Sequence, residues 1–254
     1  MANPRGFRTL AEREISRFLS LPNQTIWPAV VNAILYIVVF GFFLGSRVSD
    51  IEGVPYITFI FPGLLMMGVV LAAFQNASSS LFIARWEHFI EDLLVAPISF
   101  LEMVVAYVLA SVVRGVLSGL MVLIAGILLV KTPLEHPFLL VVSLVLSSIV
   151  FSASGLIVGL WAERWDNIAI YLNYVVTPLM FLGGVFYSTS TLPEGYRWVN
   201  YVNPIFYMVE AVRYAFLGRT DVPFALSMAV TVIIASIFFL WAVYLFKKGY
   251  KLRT

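Results

Sequence analysis

Ionisable side chains are scarce in this chain, and the places where they gather decide what chemistry is open to it. The densest cluster lies in "ARWEHFIEDLLVAPIS", where Arg85, Glu87, His88, Glu91 and Asp92 fall within eight positions. Carboxylates beside a histidine could do acid–base work. A matched nucleophile, base and acid are missing, however, because His88 and His136 both fall in loops without a Ser and Asp at a suggestive spacing. Two isolated histidines and no cysteine leave no ligand set for a metal. Phosphate-loop hydrolysis of a nucleotide is also excluded. Lys131 before Thr132 is the sole lysine followed by Ser or Thr, and Val130 and Ala125 stand where that loop requires glycine. No catalytic residue and no metal ligand are assigned, and a net charge of +2 gives no argument for nucleic acid. What remains for the charged cluster is recognition.

The elements that must position it are hydrocarbon. Of the 254 residues, 61% are hydrophobic and 12% charged, against about 25% charged in an ordinary soluble domain. The pattern predicts an all-α polytopic membrane protein forming a single domain over 1–254. Six spans are expected, at about 26–46, 56–80, 101–130, 137–161, 167–187 and 222–246, each long enough to cross about 30 Å of hydrocarbon. Six spans put both termini on one side. With the termini inside, the inner segments hold ten cations (Arg5, Arg8, Arg13, Arg17, Arg85, Arg164, Lys247, Lys248, Lys251, Arg253) and the outer ones five (Arg47, Lys131, Arg197, Arg213, Arg219). The positive-inside rule therefore favours cytoplasmic termini. Residues 1–25 lack the apolar core and cleavage site of a secretory signal. With Phe7, Leu10, Ala11, Ile15, Phe18 and Leu19 on one face, they predict an interfacial amphipathic helix along the inner leaflet.

Under this topology residues 84–98 lie in the cytoplasm. Trp86, Phe89, Ile90, Leu93 and Leu94 make one helical stripe. Pro97 ends the helix, and Ser99 with Glu102 forms a capping box that starts the third span. Glu91 and Asp92 would be repelled by an anionic leaflet, so a protein surface is the expected neighbour. Within the spans, Arg114 is the one formal charge near a centre. Such a charge is costly in lipid and should face protein or water, on a path or in a dimer interior, where it could help to hold an anionic group. Gly115 with Gly119, and Ser148, Ser152, Gly155 and Gly159, read as close-packing ridges. Asn32, Gln75, Asn76, Asn173 and Thr177 could line a path, and Pro178 marks a kink with Gly183 and Gly184 beyond it. Every acid is assigned to a loop, a cap or a surface, which weakens a proton-coupled carrier.

Residues 188–221 are too aromatic for a plain loop. A break at Asn203–Pro204 predicts two short helices, re-entrant or lying on the extracellular surface. Tyr196, Trp198, Tyr201, Phe206, Tyr207, Tyr214 and Phe216 would then sit at headgroup level. Glu210 and Arg213, three apart, can pair with each other.

The stretch "IEDLLVAPIS" resembles the cytoplasmic loop of ABC-2 type exporter permeases, with "YITFIFPGLLMMGVV" at 56–70 similar to their second span. The block "TPLMFLGGVFYSTSTLPEGYRWVNYVNPIFYMVEAVRYAFLG" at 177–218 is similar to their C-terminal signature. The resemblance covers nearly the whole chain and is nearest to two-component exporters of the drug-efflux and nodulation-factor branches. It implies a permease of the bacterial inner membrane, working as a dimer, a homodimer here, with a separate ABC ATPase subunit that carries ATP and Mg, so that no cofactor is expected on this chain. It implies that the segment holding Arg85, Glu87, His88, Glu91, Asp92, Leu93, Leu94 and Pro97 is the coupling helix seated on the ATPase. It further implies that Pro204, Glu210 and Arg213 belong to an element capping the exit of the pathway, and that transport runs outward. An amphiphilic, lipid-linked or drug-like substrate, in contact with membrane lipid, is the expected cargo. The alternatives are an ion-coupled secondary transporter or channel, and an intramembrane enzyme acting on lipids.

Overall fold

The computed structural model describes residues 3–45, 50–51 and 53–252. Arg47 and Arg253 of the charge count, and Ser46 at the end of the first expected span, lie outside the described residues. Asn3 caps α1 (Pro4–Leu19) by accepting from the Gly6 amide at 3.1 Å. After the short α2 (Pro22–Thr25), α3 (Trp27–Tyr36) starts with Pro28 in its first turn and continues through wider π-type turns over Ile37–Leu44. Then follow α4 (Tyr56–Trp86), α5 (Phe89–Val95), α6 (Phe100–Val130) and α7 (Pro137–Trp161). The chain ends with α8 (Trp165–Tyr171), α9 (Thr177–Phe181), α10 (Trp198–Val202), α11 (Pro204–Leu217) and α12 (Phe224–Lys248). Among the described residues there is no strand, only an isolated bridge between Ile51 and Val54.

Among the described residues four helices, α4, α6, α7 and α12, are long and apolar enough to cross a membrane, and Trp27–Gly41 is a shorter apolar helix. The fifth expected span is helical from Trp165 to Phe181: α8 continues through widened turns over Leu172–Val176 into α9, where Pro178 has no N–H to give to the preceding turn. The helix stops at Phe181 rather than near 187, and Gly184 beyond it takes a left-handed φ of +71°.

The axis of the bundle is α4, buried along most of its length by α6, α7 and α11. Its closest neighbour is α7. A Cβ on Gly155 would stand 2.6 Å from the Phe74 carbonyl oxygen and one on Gly159 2.8 Å from that of Ser78. Only glycine lets the two backbones approach this far, as the small-residue ridge predicts. Gly115 and Gly119 similarly set α6 against Ala73 and Val69 of α4. By contrast α12 is mostly exposed along its apolar length.

The flanks add detail to the sequence reading. The N-terminal helix is tied to the bundle: α1 packs on α6, the Asn3 amide donates to Glu102 Oε1 at 2.7 Å, and its buried face runs through Leu10, Ala11, Glu14 and Phe18 while Leu19 is exposed. The aromatic segment divides. Trp198 and Tyr201 on α10 are exposed, but α11 is sunk between α4, α7 and α12. Phe206 and Phe216 are therefore core residues rather than headgroup anchors, Phe216 meeting the Phe61 ring edge-on at 5.4 Å.

Candidate functional site

The charged cluster resolves into two pieces. Residues 84–86 complete α4, and the chain turns at His88, whose φ of +58° breaks the stripe expected from Trp86 onward. Trp86 is 73% exposed instead of packed with Phe89. Arg85 is corrected as well. Its guanidinium is buried, and Nη1 donates to the carbonyls of Gly159, Leu160 and Ala162 at 2.9, 2.9 and 3.0 Å. It closes the C-terminal end of α7, whose last carbonyls lack helical partners, and so cannot also present its charge outward.

The short helix α5 is anchored from below. Ile90 and Leu93 are buried in an apolar cluster that includes Leu10, Met103, Tyr107 and Phe246, while Phe89 lies under the Arg13 guanidinium at 3.6 Å. Leu94 is half-buried. Ala96 is extended, as the residue before Pro97 must be, and the helix ends at Val95. The expected capping box follows: Glu102 Oε2 accepts from the Ser99 amide at 2.8 Å and Ser99 Oγ from the Glu102 amide at 3.3 Å. Glu87, His88, Glu91, Asp92 and Pro97 face outward, with His88 Nδ1 and Glu91 Oε1 3.1 Å apart. The result is an acidic ridge held rigidly on an apolar seat.

Halfway along α6, Arg114 is 6% exposed. Its Nε donates to the Thr25 carbonyl and its Nη1 to Asn76 Oδ1, both at 3.3 Å. Asn76 is buried, donates to Ser111 Oγ at 2.9 Å and accepts from Arg17 Nη2 at 3.4 Å, so it braces the arginines rather than lining a path. Arg17 and Arg13 in turn hold Glu14, at 3.3 and 3.1 Å, and Ser80 Oγ donates to the same carboxylate. Arg114 also borders two cavities. One of about 130 Å³ is shared with Asn32, Tyr36 and Gln75; another of about 410 Å³ is shared with Arg17, Gln75 and Trp165. Asn173 stands exposed on the widened turn next to Leu172, which lines the larger cavity, and Thr177 is half-buried one turn on.

At the far end of the bundle, Pro204 occupies the first turn of α11 behind an Asn203 cap, whose Oδ1 accepts from the Ile205 amide at 3.0 Å. Glu210 and Arg213 form the expected pair, but inside the protein, Glu210 being 0% exposed. Arg213 Nη2 also donates to the Gly184 carbonyl at 2.6 Å, and its guanidinium lies 4.1 Å from the centre of the Phe59 ring. Glu210 Oε2 accepts from Thr220 Oγ1 at 2.5 Å and the Asp221 amide at 2.6 Å. One pair thus ties α11 to α4, to the turn after α9 and to the start of α12.

The pattern of the ABC-2 type transporter family matches residues 5–217, a stretch that includes all three polar sites. The chain belongs to the ABC-2 type transporter family. The inner membrane transport permease YadH of Escherichia coli is 37% identical over 249 residues, 98% of this chain and 97% of YadH. Nodulation protein J of Sinorhizobium fredii is 24% identical over 197 residues, covering 77% of this chain and 75% of that protein. Its counterpart from Bradyrhizobium diazoefficiens is 23% identical over 209 residues, 82% and 80% of the two chains. This is a transport permease subunit and a multi-pass protein of the inner membrane.

In this ABC-2 permease the sequence reading missed two buried acids, since both Glu14 and Glu210 had been assigned to surfaces. Glu14 carried a visible signal. It falls at the helical spacing of Leu10, Ala11 and Phe18, on the apolar face of α1, where an acid needs a buried partner.

Proposed function

We propose that this permease is the membrane-spanning half of an ATP-driven exporter and that a separate ABC ATPase subunit seats on α5. The observation that carries the reading is the construction of α5: Glu87, Glu91 and Asp92 outward, Ile90 and Leu93 buried in the apolar cluster shared by α1, α4, α6, α7 and α12. A push on that ridge is delivered to the bundle instead of being absorbed by a loose loop. Nucleotide and Mg belong to the partner.

In this reading α3 with its π-type extension, and α8 with α9, supply the first and fifth of six crossings, and both termini are cytoplasmic. Two copies of the chain meet across the face bearing α3 and the widened turn of Leu172–Val176, which carries Asn32 and Asn173 beside the Arg114 cavities. The apolar flank of α12 faces lipid. The cargo is amphiphilic, lipid-linked or drug-like, moved outward past Arg114 toward the cap formed by α10 and α11. An ion-coupled carrier would need titrating acids along the path. The two buried ones are each already engaged by arginines, which favours an external motor.

The test is gentle affinity purification of the intact permease from its native membrane. An ATP-hydrolysing subunit is expected in equal copy number, and Glu91→Arg with Asp92→Arg should lose it while the protein still inserts. Recovery of the permease alone, transporting without ATP, would overturn the reading in favour of ion-coupled transport.

A further inference from the structure

Arg114 is the one cation in the central network without a carboxylate. Arg13 and Arg17 share Glu14. Arg114 has only a backbone carbonyl and an amide oxygen, and among the described residues its Nη2 has no protein partner. A buried, unpaired guanidinium is costly unless an anion completes it, and guanidinium geometry suits a phosphate or carboxylate, which it can meet with two parallel bonds. The space beside it has two kinds of wall. The 410 Å³ cavity is lined by the polar Arg17, Gln75 and Arg114 and also by the apolar Trp165, Ile168 and Leu172. A free inorganic anion would leave that second wall wet and unused.

From this we infer that the crevice between α1, α4, α6 and α8 is the loading site for an anionic amphiphile. The negative headgroup is bound by Arg114 with Arg17 behind it, and the first part of its hydrocarbon lies along Trp165, Ile168 and Leu172. The inference deepens the transport reading above and rests on it. It narrows the cargo to molecules that join a phosphate-like or carboxylate group to an apolar body. Gln75 is exposed on the rim of the same crevice, so a charge placed there acts on the headgroup without disturbing the core.

The test titrates the purified full-length permease, in an uncharged detergent and without nucleotide, with dihexanoyl phosphatidic acid, inorganic phosphate and dioctanoylglycerol. Occupancy is read by native mass spectrometry and by the ligand-dependent rise in melting midpoint. Saturable binding of the phosphatidic acid is expected, weakened at least about tenfold by Arg114→Gln, which removes charge-assisted bonds, and weakened in the same direction by Gln75→Glu. Arg114→Lys should recover part of the loss, and added NaCl should weaken binding. Equal binding of uncharged dioctanoylglycerol would overturn the anion site. Inorganic phosphate binding as tightly as phosphatidic acid would overturn the amphiphile assignment. Should Arg114→Gln fail to fold, wild-type affinity in Gln75→Glu would overturn the proposal on its own. Because no ATPase is present, failure here is distinct from failure of the co-purification above.

Discussion

Replacing Arg213 by methionine would remove a cation while keeping most of its apolar bulk. The wild-type side chain is 4% exposed and Glu210 0%, so the substitution strands a carboxylate inside the bundle with only Thr220 Oγ1 and the Asp221 amide as donors. Breaking a buried pair from one side costs about 3–5 kcal/mol. The Gly184 carbonyl loses its donor and the Phe59 ring its cation as part of that sum, since contributions within one network do not add. At roughly 2–4 °C per kcal/mol for a chain of this size, the melting midpoint should fall by about 6–20 °C. The informative comparison is Arg213→Met combined with Glu210→Gln. The amide oxygen can still accept from Thr220 and Asp221 while the stranded charge is gone, so at least half of the loss should return, a coupling of about 2 kcal/mol. Thermal denaturation of the four proteins in one detergent, followed by size-exclusion chromatography, measures it. A single variant within about 1 kcal/mol of wild type, or a double variant no better than the single, would refute the idea that this pair bolts α11 in place.

Three further outcomes follow from the same structure. Arg85→Gln should cost about 2–4 kcal/mol, because one buried nitrogen serves three carbonyls at the end of α7; the exposed neighbour change Glu87→Gln should stay within about 0.5 kcal/mol in the same thermal assay. Glu102→Ala breaks both the Ser99 capping box and the tie to Asn3, and should cost about 1–2 kcal/mol while hydrogen exchange over residues 3–10 speeds up. The Lys251 ammonium, 2.6 Å away, holds the Glu163 carboxyl below its ordinary value of 4.5. A depressed carboxylate stabilises the fold above its unfolded pKa and loses that contribution as pH falls through the folded one. The small difference in melting between wild type and Glu163→Gln should therefore be present near neutral pH and vanish as the pH falls through the depressed pKa of the folded state.

What the sequence made legible was local. Pro97 stops a helix through its own ring, Ser99 and Glu102 recognise each other across one turn, and the Gly155 and Gly159 ridge announces a close neighbour. What it concealed was held by distant atoms with no side-chain signature. Arg85 reads as part of an exposed charged run because its acceptors are backbone carbonyls 74 to 77 positions away. Glu14 betrays its buried face by its spacing from Leu10, Ala11 and Phe18, but not its partner Ser80, 66 residues on. The shape of the fifth span was half visible: Pro178 gave the place of the widened turns, but the uniform hydrophobicity up to residue 187 hid where the helix stops. Likewise Phe206 and Phe216 look like interface aromatics until the sinking of α11 is known.

The backbone contact between α4 and α7 has a mechanical meaning. Where a carbonyl of one helix fills the space a methyl group would occupy on the other, neither can slide or roll without opening a void or driving atoms together. These two helices form a stiff keel, and Arg85 clamps its end beside the α5 ridge. Compliance is left to the other flank, where the widened turn of Leu172–Val176 borders the Arg114 crevice through Leu172. A force applied at α5 would therefore travel undiminished along the keel and be spent as movement where the crevice opens.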